Sequence, residues 1–103
     1  MSINPFRVPF RGLFIHQDAV QDVQQVVDAL VPDAEKVEIF VHKHALVMVL
    51  WVDESGNILK EHITEFDGTE MACSDAIRAM KTLLELPTTV ETMDDTVVPF
   101  DLA

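Results

Sequence analysis

Residues 45–52 read ALVMVLWV, eight apolar residues without interruption. Side chains of a strand alternate between its two faces, so such a run is apolar on both faces and calls for a neighbouring strand on each side. It falls far short of the about 20 residues that a membrane-crossing helix needs. It therefore predicts the central strand of a sheet, and the rest of the chain has to supply the partners. Before it, Val37, Ile39 and Val41 alternate with polar residues, as in a half-buried strand. After it, "DESGN" (residues 53–57) is a turn signal with Ser55-Gly56 at its centre, and Ile58 to Phe66 is the returning strand. That register sets His62 opposite Val49. The boundary at "HKHA" (residues 42–45) lacks Gly, Pro and Asn, so one bent strand from Val37 to Val52 is the other arrangement.

Two stretches carry helical spacing. Val20, Val23, Val26, Val27, Leu30 and Val31 fall on one face, with Asp18 as N-cap, Gln21 completing a capping box and Pro32 as the stop. Valine is a poor helix former, so burial must hold this helix. Cys73, Ala76, Ile77, Met80, Leu83 and Leu84 form the second stripe, with Thr69 or Ser74 as cap, Asp75, Arg78, Lys81 and Glu85 on the solvent side, and Pro87 as the end. Leu13 to His16 is a further short strand. The order is β-α-β-β-β-α plus an acidic C-terminal tail. It predicts an α+β fold, an antiparallel sheet of three to four strands with both helices packed on one face. The other sheet face is then open, or buried in a dimer. The 103 residues suit one domain over 12–87, preceded by an extended arm over 1–11 and followed by the tail over 88–103.

Eighteen acidic residues against seven basic ones give a net charge of −11. That charge opposes binding to nucleic acid and to anionic membranes, and favours encounters with basic surfaces. A single cysteine, Cys73, rules out an intrachain disulfide and, with no leader-like apolar segment in the first residues, fits a cytoplasmic protein. Cys73 lies on the apolar stripe of the second helix and reads as a core thiol, not a nucleophile. There is no glycine-rich phosphate loop, no His-Glu-x-x-His and no Gly-x-Ser-x-Gly, and the chain has only three glycines. No enzyme activity and no cofactor follow from these residues. His42 and His44 would share one face of a strand, with His62 on its neighbour and His16 elsewhere. A metal site there lacks a completing Cys or carboxylate pair.

The tail sequence "MDDTVVPFDLA" is similar to the acidic tip of bacterial single-stranded-DNA-binding proteins, where acidic residues precede a terminal Pro-Phe. Asp94, Asp95, Pro99 and Phe100 match in type and order. In that family the Phe is the last residue, whereas here Asp101, Leu102 and Ala103 follow.

The N-terminal "PFRVPFRG" repeats Pro-Phe-Arg within eight residues. Phe6, Arg7, Phe10 and Arg11 either anchor the arm on the chain's own core and acidic surface, or carry it to a second subunit as self-association contacts; the second is favoured by the stiffness the prolines give. A nucleic-acid role would need a basic surround.

The residues together predict a small non-enzymatic protein that inhibits, by stoichiometric contact, a nucleic-acid-processing enzyme of the restriction, CRISPR or nuclease-toxin type. Its carboxylates would stand in for phosphates on a basic site. The contact residues are drawn from Asp22, Asp28, Asp33, Glu35, Asp53, Glu54, Glu61, Glu65, Asp94 and Asp95. The alternatives are an assembly subunit that forms a homo-oligomer through the Phe-Arg arm and the open sheet face, and a His-dependent metal binder.

Overall fold

The computed structural model describes residues 7–42, 46–66 and 70–93. It is α+β. A two-stranded hairpin, β1 (Arg7–Phe10) and β2 (Leu13–His16), leads through a 3-10 turn at Gln17–Ala19 into α1 (Val20–Val27). Strands β3 (Lys36–His42), β4 (Leu46–Val52) and β5 (Ile58–Glu65) follow, then α2 (Glu70–Leu83) and β6 (Thr88–Met93).

The main sheet has the order β5-β4-β3-β6. β3, β4 and β5 form an antiparallel meander, as the apolar run required, and β4 is flanked on both sides. Val49 lies opposite His62, the register set by the turn. The turn is held by Asp53, whose carboxylate Oδ1 accepts from the backbone N–H of Ser55 and Asn57 at 2.9 and 2.8 Å, while Gly56 takes φ 91°. The expectation of a purely antiparallel sheet is corrected: β6 runs parallel to β3, pairing Val37 with Thr88 and Ile39 with Val90. α2 crosses the sheet between β5 and β6, and such a crossover is what returns the chain in parallel. Residues 88–93, assigned from sequence to the tail, are thus a sheet edge; Asp94 and Asp95 lie outside the described residues.

The short strand Leu13–His16 does not join the main sheet. It pairs with Arg7–Phe10 through a turn in which Arg11 and Gly12 both have positive φ (49° and 90°), the geometry of a primed hairpin turn. From Arg7 onward the expected extended arm is therefore a hairpin strand, and it tolerates Pro9 because a two-stranded ribbon leaves each strand an unpaired edge.

One core lies between the helices, the hairpin and one sheet face. Val37, Ile39, Val41, Val47, Val49 and Trp51 meet Val23 and Val26 of α1, Ala72, Cys73, Ala76, Ala79 and Met80 of α2, and Phe10 and Ile15 of the hairpin. α1 is shorter than its valine spacing predicts. Its N-cap Ala19 makes no side-chain cap bond, and it ends at Val27 with Asp28 as C-cap, so Leu30 is left 91 % exposed. α2 is rotated from the predicted stripe: Asp75, placed by sequence on the solvent side, is 2 % exposed. The small residues Ala72, Ala76 and Ala79 let the helix lie close, and Asp75 is carried inward with them. No described helix is long and apolar enough to cross a membrane.

Candidate protein-binding surface

The ten acidic candidates fall into separate groups. Asp33 and Glu35, on the α1–β3 connection, converge with Asp53 and Glu54 of the β4–β5 turn around a concavity of about 310 Å³, also lined by Pro32 and Ser55. No Lys or Arg lines it among the described residues. The backbone fixes this meeting, because the Glu35 N–H donates to the Val52 carbonyl at 2.8 Å and so ties the connection to the end of β4. The hydrogen bonds from Asn57 and Ser55 hold the Asp53 carboxyl below the usual carboxylate range, so it stays ionised.

Asp22 and Asp28 are used within the fold. Asp22 Oδ1 lies 3.2 Å from His62 Nε2, joining α1 to β5. Asp28 accepts from Gln24 at 2.7 Å and from Arg11, and these bonds lower its pKa, Gln24 foremost. Glu61 and Glu65 project from the sheet face that the helices do not cover. Glu61 stands opposite Leu50, and Glu65 opposite Leu46.

That face carries more than the sequence reading assigned to it. Phe40 packs on the cluster of Met48, Leu50 and Val52, with Ile63 beside Met48 and Ile58 beside Val52. A bulge at Trp51/Val52 turns Ile58 to this side. Ile58 and Ile63 are 58 % and 50 % exposed. Glu38 and Glu91 join Glu61 and Glu65 as the acidic members, and Lys36 pairs with Glu38 at 3.3 Å. Glu38 was readable from the alternation in "KVEIFVH", which sets it with Phe40. Glu91 was not, because its strand read as a tail.

Arg7, Phe10 and Arg11, three of the four self-association candidates, make intrachain contacts. Phe10 is buried in the core. Arg7 donates to Asp75 Oδ1 at 2.8 Å, and Arg11 pairs with Asp28 and lies 5.3 Å from the centre of the Phe10 ring. Phe6 lies outside the described residues. The histidines are dispersed. His42 is on the face away from the helices, opposite Leu46, whereas His62 is on the helix face, so the sheet separates them. His44 lies outside the described residues, and His16 Nδ1 accepts the Asp18 N–H at 3.1 Å. Among the described residues no cluster of His, Cys, Asp or Glu is arranged to hold a metal ion. Cys73 is 1 % exposed. A second concavity, of about 530 Å³, opens between the C-terminal ends of α1 and α2 over Trp51.

The chain matches no protein-family model, no curated protein and no solved structure.

Proposed function

We propose that the chain is an acidic protein-binding module without enzyme activity, acting by stoichiometric contact on the basic site of a nucleic-acid-processing enzyme. The observation that supports this is the end of the molecule where Asp33, Glu35, Asp53 and Glu54 line one concavity, with no Lys or Arg in its lining among the described residues. Four carboxylates held together by backbone geometry can occupy sites that otherwise bind phosphates. The homo-oligomer alternative through the Phe-Arg segment has less support. Arg7, Phe10 and Arg11 are engaged by Asp75, the core and Asp28 of the same chain.

The test is a tagged capture from the native host at low and high salt, read by mass spectrometry. It is repeated with Asp33→Asn, Glu35→Gln and Glu54→Gln combined. The expected result is a nucleic-acid enzyme recovered at low salt, shed at high salt, and lost with the neutralised variant. Recovery of only the protein itself at both salts would overturn the reading.

A further inference from the structure

Among the described residues, one sheet face is left free by the helices and the hairpin, and we infer that it is a second contact surface, one that takes a protein segment in which apolar residues alternate with Lys or Arg. The inference rests on the binding-module reading above and names another surface for it. Both helices and the hairpin pack on the opposite face. On this one the half-exposed Ile58 and Ile63 and the partly buried Phe40 stand over a floor of Met48, Leu50 and Val52. Carboxylates are interleaved with these apolar residues: Glu38 and Glu61 flank Leu50 in the row between Ile58 and Ile63, Glu91 stands beside Phe40 and Glu65 beside Leu46, with Lys36 spent on Glu38. Apolar and charged groups side by side suit recognition of a segment that carries both.

The carboxylates decide what can cover it. A second copy stacked face to face would set these carboxylates against their own images, on molecules each carrying −11. Like charges placed so cost binding free energy and slow encounter. Anionic lipid and nucleic acid meet the same repulsion. A segment that alternates basic and apolar residues meets attraction at the carboxylates and apolar contact at Ile58, Ile63 and Phe40. Area sets a further condition. Four strands spaced about 4.8 Å apart and about seven residues long present roughly 400 Å². A stable interface needs about 800 Å² per partner. The partner therefore runs past the sheet. Val52 and Ile58 lead directly into the Asp53–Glu54 turn, which is half of the acidic concavity. The acidic end thus adjoins the β4–β5 end of the face.

The test uses the full chain and three synthetic peptides of equal length: alternating Leu and Lys, alternating Ser and Lys, and alternating Leu and Glu. Binding is mapped by backbone amide shifts. The Leu/Lys peptide is expected to shift the amides of Glu38, Phe40, Leu50, Glu61 and Ile63, and to lose about tenfold in affinity when Ile58→Ser and Ile63→Ser are combined. The exposure of both residues keeps that variant folded, which its unchanged Tm checks. The Leu/Glu peptide is expected not to bind. Shifts confined to residues 33–35 and 53–54 would overturn the face as a site while leaving the acidic module intact. No binding of either basic peptide at low salt would overturn both. A dimer in sedimentation equilibrium that Ile63→Lys abolishes would reassign the face to a second copy. An affinity that rises on removal of residues 94–103 would reassign it to the chain's own C-terminal segment.

Discussion

Replacing Arg7 by Met should destabilise this fold more than any other change to a comparably exposed charge. Asp75 is 2 % exposed, and its Oδ2 has no hydrogen-bond partner among the described residues. Its Oδ1 accepts from Arg7 Nη2 at 2.8 Å, while Arg78 Nη1 stands off at 3.6 Å. Met keeps the apolar stem of Arg7 and removes only the guanidinium. Breaking a fully buried pair costs about 3–5 kcal/mol, because the remaining charge is left without compensation. Here the Arg7 side chain is 38 % exposed and Arg78 61 %, so water and a shifted Arg78 recover part of that. The expected cost is about 2–3 kcal/mol. In a chain of this size that lowers Tm by on the order of 10 °C. The control is Arg11→Met, whose partner Asp28 is exposed; surface pairs contribute little, so its Tm should stay near that of the parent. Thermal and urea unfolding of both variants, and of Asp75→Asn with and without Arg7→Met, give the coupling directly. Equal shifts for Arg7→Met and Arg11→Met, or coupling near zero in the cycle, would refute the assignment of Asp75 as a buried charge that depends on the hairpin.

Three further outcomes follow from single observations. Trp51→Ala should cost about 3–5 kcal/mol in urea unfolding, since Trp51 is 2 % exposed, whereas Leu30→Ser should stay within about 0.5 kcal/mol; a large effect at Leu30 would mean that α1 runs on toward Pro32. Gly56→Ala should destabilise by about 1 kcal/mol through its φ of 91° alone, because a Cβ there meets nothing within 4 Å. The Asp53 carboxyl, followed by NMR, should titrate below the ordinary value of 3.8, and Asn57→Ala should move its midpoint partway back. A depressed folded-state pKa contributes stability that is present above the unfolded value and lost as pH falls through the folded one, so this turn should loosen only in acid.

The meander was legible because one apolar run and one turn fix it. ALVMVLWV demanded two neighbours, and "DESGN" set the register to the residue, His62 against Val49. What the sequence hid was governed by contacts between distant segments. β6 carries a single inward Val90 between Thr88 and Thr92, so its alternation is weak, and it is a strand because β3 offers it an edge. Asp75 reads as a solvent residue until Arg7, 68 residues earlier, is brought beside it. Leu30 keeps the helical spacing of α1, but the helix ends at Val27, and spacing cannot register an early stop. In the candidate surface, abundance of carboxylates was readable and their grouping was not. Asp33 and Glu35 reach Asp53 and Glu54 only because the Glu35 N–H bonds to the Val52 carbonyl.

If the acidic end and the sheet face act as one surface, they should act on different rate constants. Charges at the end are felt over about a Debye length, roughly 8 Å at physiological salt, before contact is made. Apolar contacts at Ile58 and Ile63 exist only once water has been expelled. Neutralising Asp33, Glu35 and Glu54 together, and sparing Asp53 because its carboxylate holds the turn, should therefore lower the association rate by roughly tenfold at low salt. The loss should vanish as salt is raised, with dissociation little changed. Ile58→Ser with Ile63→Ser should do the reverse, leaving association intact and speeding dissociation at every salt concentration. Stopped-flow measurement with the Leu/Lys peptide, or with a partner recovered from the host, separates the two. Should both variants move the same rate constant with the same salt dependence, the division of labour fails, and the apolar face would be no more than the outer side of a sheet whose charges alone do the binding.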